Sequence, residues 1–122
     1  LSVGGIGGMS YRLGAQIDHV RELTVITGTG AIVRCSASER RELFEAVLAC
    51  QGQVAVIAQA VLSLAPAPTD VRLYDMFYAD LPTLLDDLGR LIDDARFDQF
   101  EGWVLPQPDG SWRYLLEAIA YH

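Results

Sequence analysis

The spacing of apolar and polar positions divides the chain into short strands and two helices. Residues 22–28 (ELTVITG) and 31–35 (AIVRC) are β-branched runs separated by Gly28-Thr29-Gly30, which predicts a β-hairpin. Ser36 and Glu39 have the spacing of a capping box, in which hydroxyl and carboxylate satisfy each other's free backbone N–H. Leu43, Phe44, Val47 and Leu48 then recur at helical spacing, predicting a helix over 38–49 that Gly52 stops. Residues 53–64 (QVAVIAQAVLSL) are almost continuously apolar, as expected of a strand buried on both faces.

Ala65-Pro66-Ala67-Pro68-Thr69 breaks this pattern. Its two prolines exclude helix and central strand, so a domain boundary is expected here, dividing 1–67 from 68–122. A strand follows at 71–79. Asp80 is placed to cap a helix whose apolar stripe is Leu81, Leu84, Leu85, Leu88, Leu91, Ile92 and Ala95, with Pro82 tolerated in the first turn. Residues 99–105 and 112–121 read as two strands paired antiparallel around Pro108-Asp109-Gly110-Ser111. The expected fold class is α+β: hairpin, helix and strand, then a β-α-β-β unit, half of a split βαβ sandwich.

Composition narrows the function. At 122 residues and 51% hydrophobic, with a mean hydropathy of +0.22, the chain has enough apolar surface for a core and is not a disordered polymer. A net charge of −7 argues against binding nucleic acid or an anionic membrane surface. No apolar run is long enough to span a bilayer, and no signal peptide is read at the start. All nine basic residues are arginine, and with the abundance of Ala, Leu and Asp this points to a GC-rich bacterial genome. A start at Leu1 within a glycine-rich segment reads as a piece of a longer protein. Cys35 and Cys50 form no disulfide framework and read as small core residues of a cytoplasmic protein.

Two features bear on chemistry. LSVGGIGG and the residues just after it hold five of the eleven glycines within positions 1–16, where backbone could approach a phosphate closely. Their spacing matches neither dinucleotide fingerprint, so an ordinary flexible loop is the simpler reading, and this stretch is expected to be the least packed of the chain. Glu101 stands in mid-strand on the same face as Trp103 and Leu105, with Glu117 roughly opposite and Gly102 thinning the sheet beside it. It is either a solvated carboxylate or one poised for a substrate. His19 and His122 lack metal-ligand spacing, the cysteines suggest no zinc, Ser2 and Ser10 have no catalytic base in a recognisable motif, and Asp86, Asp87, Asp93 and Asp94 read as a solvated helix face.

Several of these segments, in this order, resemble cytokinin dehydrogenase and its bacterial relatives among the PCMH-type, vanillyl-alcohol-oxidase-like flavoproteins. They are the LSVGG turn, the block Arg12, Gly14, Gln16, Val20, Glu22, Leu23, the Val-x-Cys-Ser strand end, the helix ending Leu-Phe-x-Ala-Val-Leu, then FEGWVL at 100–105 and YLLEA at 114–118. The resemblance implies that 1–67 is the second half of an FAD-binding domain and 68–122 the beginning of a substrate domain. It places the family's histidine for covalent flavin and its catalytic aspartate before Leu1. It implies FAD contacts at Ser2, Val3, Gly4 and Gly5, at Ile6 in a turn shortened to Ile6-Gly7-Gly8, and through the backbone at Val56. It identifies Glu101 as the active-site glutamate that holds substrate. The implied activity is FAD-dependent oxidation of a small amine or alcohol, cytokinin-like, with a small-molecule substrate and no metal. A sugar or alcohol oxidase of the same flavin architecture and a non-catalytic binding or assembly fragment are the alternatives. Where the family has Gly-Gly-Leu-Gly-Gln-Phe-Gly, this chain reads Ala49-Cys50-Gln51-Gly52-Gln53-Val54-Ala55, so a methyl at Ala55 is expected to crowd the cofactor.

Overall fold

The computed structural model describes residues 1–66 and 68–122. They form two compact units, Leu1–Ile6 with Gly14–Pro66, and Gly7–Leu13 with the described chain after Pro66. The segment Gly7–Leu13 thus packs with the second unit, across the boundary drawn from the proline run.

In the first unit a 3-10 turn at Gln16–His19 leads into β1 (Val20–Thr27), which pairs antiparallel with β2 (Ile32–Ser36) and with β3 (Ala55–Leu62). The order is β2-β1-β3, so β1 is central. The β-branched residues of β1 place Leu23 and Val25 on one face, both fully buried. Helix α2 (Arg41–Val47) lays Phe44 and Val47 against them, and Val20, Cys35 and Ala55 complete the core. Cys35 is one of two free cysteines, and burial pushes its thiol up from the ordinary value.

Three expectations are corrected here. Helix α2 is shorter than 38–49, and Ser36 does not cap it. The Ser36 hydroxyl accepts the N–H groups of Ser38 and Glu39 in a turn, and Arg40, left-handed at φ 51°, leads into the helix without a side-chain cap. The apolar run 53–64 is not a doubly buried strand. β3 pairs with β1 alone, and Val56, Val61 and Leu62 stay exposed among the described residues. Ala55 turns its methyl into the core, being 6% exposed, so it does not crowd the outer surface.

The second unit begins its strands with β4 (Val71–Tyr78) and continues through α3 (Leu81–Asp94), β5 (Gln99–Pro106) and β6 (Trp112–Tyr121). The sheet order is β4-β6-β5, all antiparallel. Asp80 caps α3 by accepting the Thr83 N–H at 2.8 Å, which holds its carboxyl below the ordinary value. The helix buries Leu84, whereas Leu81 and Leu85 remain exposed. Ala95 lies outside the stripe: it is the left-handed C-cap at φ 52°. Leu116 and Ala118 of the central strand β6 are fully buried. On the face they share, Tyr78 reaches α3, its hydroxyl donating to Asp87 at 2.6 Å.

Short helix α1 (Ser10–Leu13) and the residues before it dock on the edge strand β5. Phe100 donates its N–H to the Gly8 carbonyl at 3.0 Å. The Tyr11 hydroxyl donates to the Phe97 carbonyl, and Arg12 pairs with Asp98 at 2.7 Å. Tyr11, Phe100, Phe97 and Tyr74 form a chain of edge-on aromatic contacts with centroids 5.2–5.5 Å apart. None of residues 1–16 is buried, yet these bonds tie the glycine-rich start down.

Candidate functional site

Within the first unit, two turns rich in left-handed backbone come together. Gly4 and Gly5 adopt φ 91° and 72°, conformations open to glycine and costly for other residues. Ala49, Gln51 and Gly52 adopt φ 57°, 55° and 80° in the turn between α2 and β3. The Ala49 N–H donates to the Leu1 carbonyl at 3.1 Å and the Gln51 N–H to the Ser2 carbonyl at 2.7 Å. A Cβ built on Gly4 would touch the Ala49 methyl at 3.7 Å, and one on Gly5 would collide with the Gln16 side chain. Gln16 also donates its N–H to the Gly5 carbonyl at 2.8 Å. Ser2, Gly4 and Gly5 are therefore held against the chain, whereas Val3 and Ile6, at 76% and 88% exposure, project their side chains outward.

The N–H of Val54, foremost, and those of Gly52, Ala55 and Gln53 hold the Cys50 thiol below its ordinary value. Val56, two residues further on, faces outward from β3 at 63% exposure, in register with Ile26 and, through it, Ile32. The resemblance pointed to Ser2, Gly4 and Gly5; Ala49 and Gln51, which bond to that turn, were not singled out, because neither residue type announces a left-handed turn.

In the second unit Glu101 is held by the register of three strands. Glu101 pairs directly with Glu117 on β6, and Glu117 pairs with Asp75 on β4. Direct partners share a face, so three carboxylates cross the sheet in one row, opposite the α3 side. Above and below are apolar rows: Leu73–Ile119 on one side, Phe77–Leu115–Trp103 on the other. Trp103 and Phe77 are about half exposed at 47% and 57%, and the Arg113 guanidinium lies 5.4 Å over the Phe77 ring. Among the described residues none of the three carboxylates makes a salt bridge. Such a row favours hydrogen-bond donors and cations, with flat apolar surface beside it for a ring. Asp75 was not singled out from the sequence, because its place in the row depends on the pairing of β4 with β6. Gly102 lies on the opposite face, and a Cβ there would meet nothing within 4 Å, so no contact in the chain requires this glycine.

Other features are inert by comparison. Among the described residues no group of His, Cys, Asp and Glu could hold a metal, and no helix is long and apolar enough to cross a membrane. An open cleft of about 420 Å³ lies where the β5–β6 turn meets Tyr78, Trp112 and Arg113, and it includes none of the expected site residues.

Known proteins resemble both halves at once. An uncharacterized oxidoreductase of the fasciation locus of Rhodococcoides fascians is 40% identical over 121 residues, covering 99% of this chain. Cytokinin dehydrogenase 7 of Oryza sativa subsp. japonica is 45% identical over 108 residues, 85% of this chain. The chain is homologous to a segment of the cytokinin dehydrogenases. That segment is short: it spans 28% and 21% of the length of those two relatives. The crystal structure of 6-hydroxy-D-nicotine oxidase from Arthrobacter nicotinovorans superposes with a TM-score of 0.67 at 22% identity, over 98% of this chain and 27% of that one. The α+β arrangement of two small antiparallel sheets is therefore part of that oxidase's fold. No family model matches the chain.

Proposed function

We propose that this chain is part of an FAD-dependent oxidoreductase that takes hydride from a small amine or alcohol, with a cytokinin-like amine as the substrate class favoured. The observation that carries the reading is the joining of the LSVGG turn to the 49–53 turn. Leu1 and Ser2 offer their carbonyls to Ala49 and Gln51, which holds Gly4 and Gly5, half-buried and in left-handed backbone, beside the exposed Val3 and Ile6. The names of the relatives, cytokinin dehydrogenase and 6-hydroxy-D-nicotine oxidase, support the chemistry.

FAD fits these residues. The contact set of this reading is Ser2, Val3, Gly4, Gly5, Ile6 and the Val56 backbone, with Val3 and Ile6 projecting outward beside two glycines in left-handed backbone. When bound, the flavin supplies the hydride acceptor. The chain's own part is to bind and orient. In this reading 1–67 is flavin-binding and 68–122 is the beginning of the substrate-binding domain, where Glu101 accepts a hydrogen bond from the substrate N–H or O–H, with Trp103 beside its ring. Glu101 positions substrate and moves no proton to the flavin.

Steady-state kinetics of Glu101→Gln in the full-length protein test this. Loss of a charge-assisted hydrogen bond is expected to raise KM about ten- to a hundredfold, with a much smaller change in kcat and full flavin content. Unchanged KM with normal turnover makes Glu101 a solvated residue and removes the substrate assignment.

A further inference from the structure

We infer that Gly8 is a positioning residue for Glu101, and that Gly7–Leu13 works as a strap fixing the edge strand that carries it. This rests on the substrate-binding role proposed for Glu101. Edge strand β5 pairs on one side only, with β6, and its other side faces the strap. Gly8 is the point of closest approach. Its carbonyl takes the Phe100 N–H at 3.0 Å. A Cβ at Gly8 would stand 2.9 Å from the Phe100 carbonyl oxygen, 3.2 Å from Gln99 Cβ and 3.3 Å from Glu101 Cγ. The first of these is backbone and cannot rotate away, so any side chain at Gly8 must displace the strand or the strap. Gly7, its neighbour, has nothing within 4 Å and carries no such constraint.

The strap is anchored beyond Gly8 as well. Tyr11 bonds the Phe97 carbonyl and stacks edge-on against Phe100, Arg12 pairs with Asp98, and Asp98 in turn accepts the Tyr121 N–H at 2.8 Å. Residues 97, 98 and 100 are thus each gripped just before Glu101. With β6 fixing Glu101 from one side by direct pairing with Glu117, the strap fixes it from the other. A carboxylate that holds a substrate by a hydrogen bond needs this two-sided support, because a site about 1 Å too loose loses the geometry of that bond and the affinity it supplies.

The test compares Gly8→Ala with Gly7→Ala in the full-length, flavin-loaded protein. Two readouts are used: amide exchange at Phe100 and anaerobic flavin bleaching by N6-(isopentenyl)adenine, a cytokinin. Gly8→Ala is expected to speed Phe100 exchange and to raise the amine's apparent dissociation constant about tenfold, with flavin content and the limiting bleaching rate nearly unchanged. Gly7→Ala is expected to match wild type in both. Unchanged Phe100 exchange in Gly8→Ala overturns the strap. Faster exchange with unchanged amine affinity overturns the positioning role while leaving the strap. A wild-type protein that binds flavin but is bleached by no amine or alcohol overturns the substrate reading itself, and the exchange readout still judges the strap.

Discussion

Tyr78 shows how one side chain reports on packing in the second unit. Its hydroxyl donates to Asp87 on α3, and burial first, then that bond and the carboxylate's charge, push the phenol up from 10.0 to about 12. A raised value means the folded state favours the neutral phenol. Its contribution is fully present below pH 10.0 and is lost as pH rises through about 12. Tyr78→Phe should cost about 1 kcal/mol at neutral pH, since the pair is partly exposed. It should also flatten the stability loss in that alkaline window. Denaturant titrations of both proteins at neutral and alkaline pH check this, and a variant with wild-type stability throughout contradicts it. Glu101 belongs to the same scale. Its face, its partner Glu117 and its companion Trp103 follow from period-two alternation, and the register bears each of them out. What alternation could not supply was Asp75, because strand order within the sheet is set by tertiary pairing.

At the scale of elements, the hairpin, α3 and the β5–β6 pair were legible because local signals agreed: β-branched runs around glycine, an Asp80 cap, and a Pro-Asp-Gly-Ser turn. Helix α2 was read too long, since Ser36 and Glu39 satisfy a turn as well as a cap. The apolar run at 53–64 was misplaced for a different reason. A continuous apolar strand records what it packs against, and within the described residues β3 has β1 on one side only. Left-handed caps at Ala49 and Ala95 left no trace in composition. They offer a clean prediction. Ala95 is exposed, ends α3 at φ 52° and donates its N–H to Ile92 at 3.1 Å. Ala95→Gly should stabilise the chain by about 1 kcal/mol, because glycine relieves the steric cost of that conformation. Thermal unfolding measures it, and a lowered Tm contradicts the assignment of strain to this cap.

Across the described residues, two small antiparallel sheets are shaped by two different constraints. Where side chains must be absent, at the LSVGG turn, glycines and left-handed turns dominate. At the carboxylate row, alternation and strand register dominate. The resemblance reaches both, over 99% of the chain in the Rhodococcoides oxidoreductase and 85% in the rice cytokinin dehydrogenase. The LSVGG turn was legible in the sequence as glycine and serine, but the turn bonded to it, Ala49–Gly52, emerged only once the backbone was folded. The most direct test is an absorption spectrum of the full-length protein, followed by anaerobic mixing with N6-(isopentenyl)adenine. The expected result is a yellow protein with bound FAD whose visible band bleaches on mixing. A correctly folded protein that neither retains nor takes up FAD contradicts it.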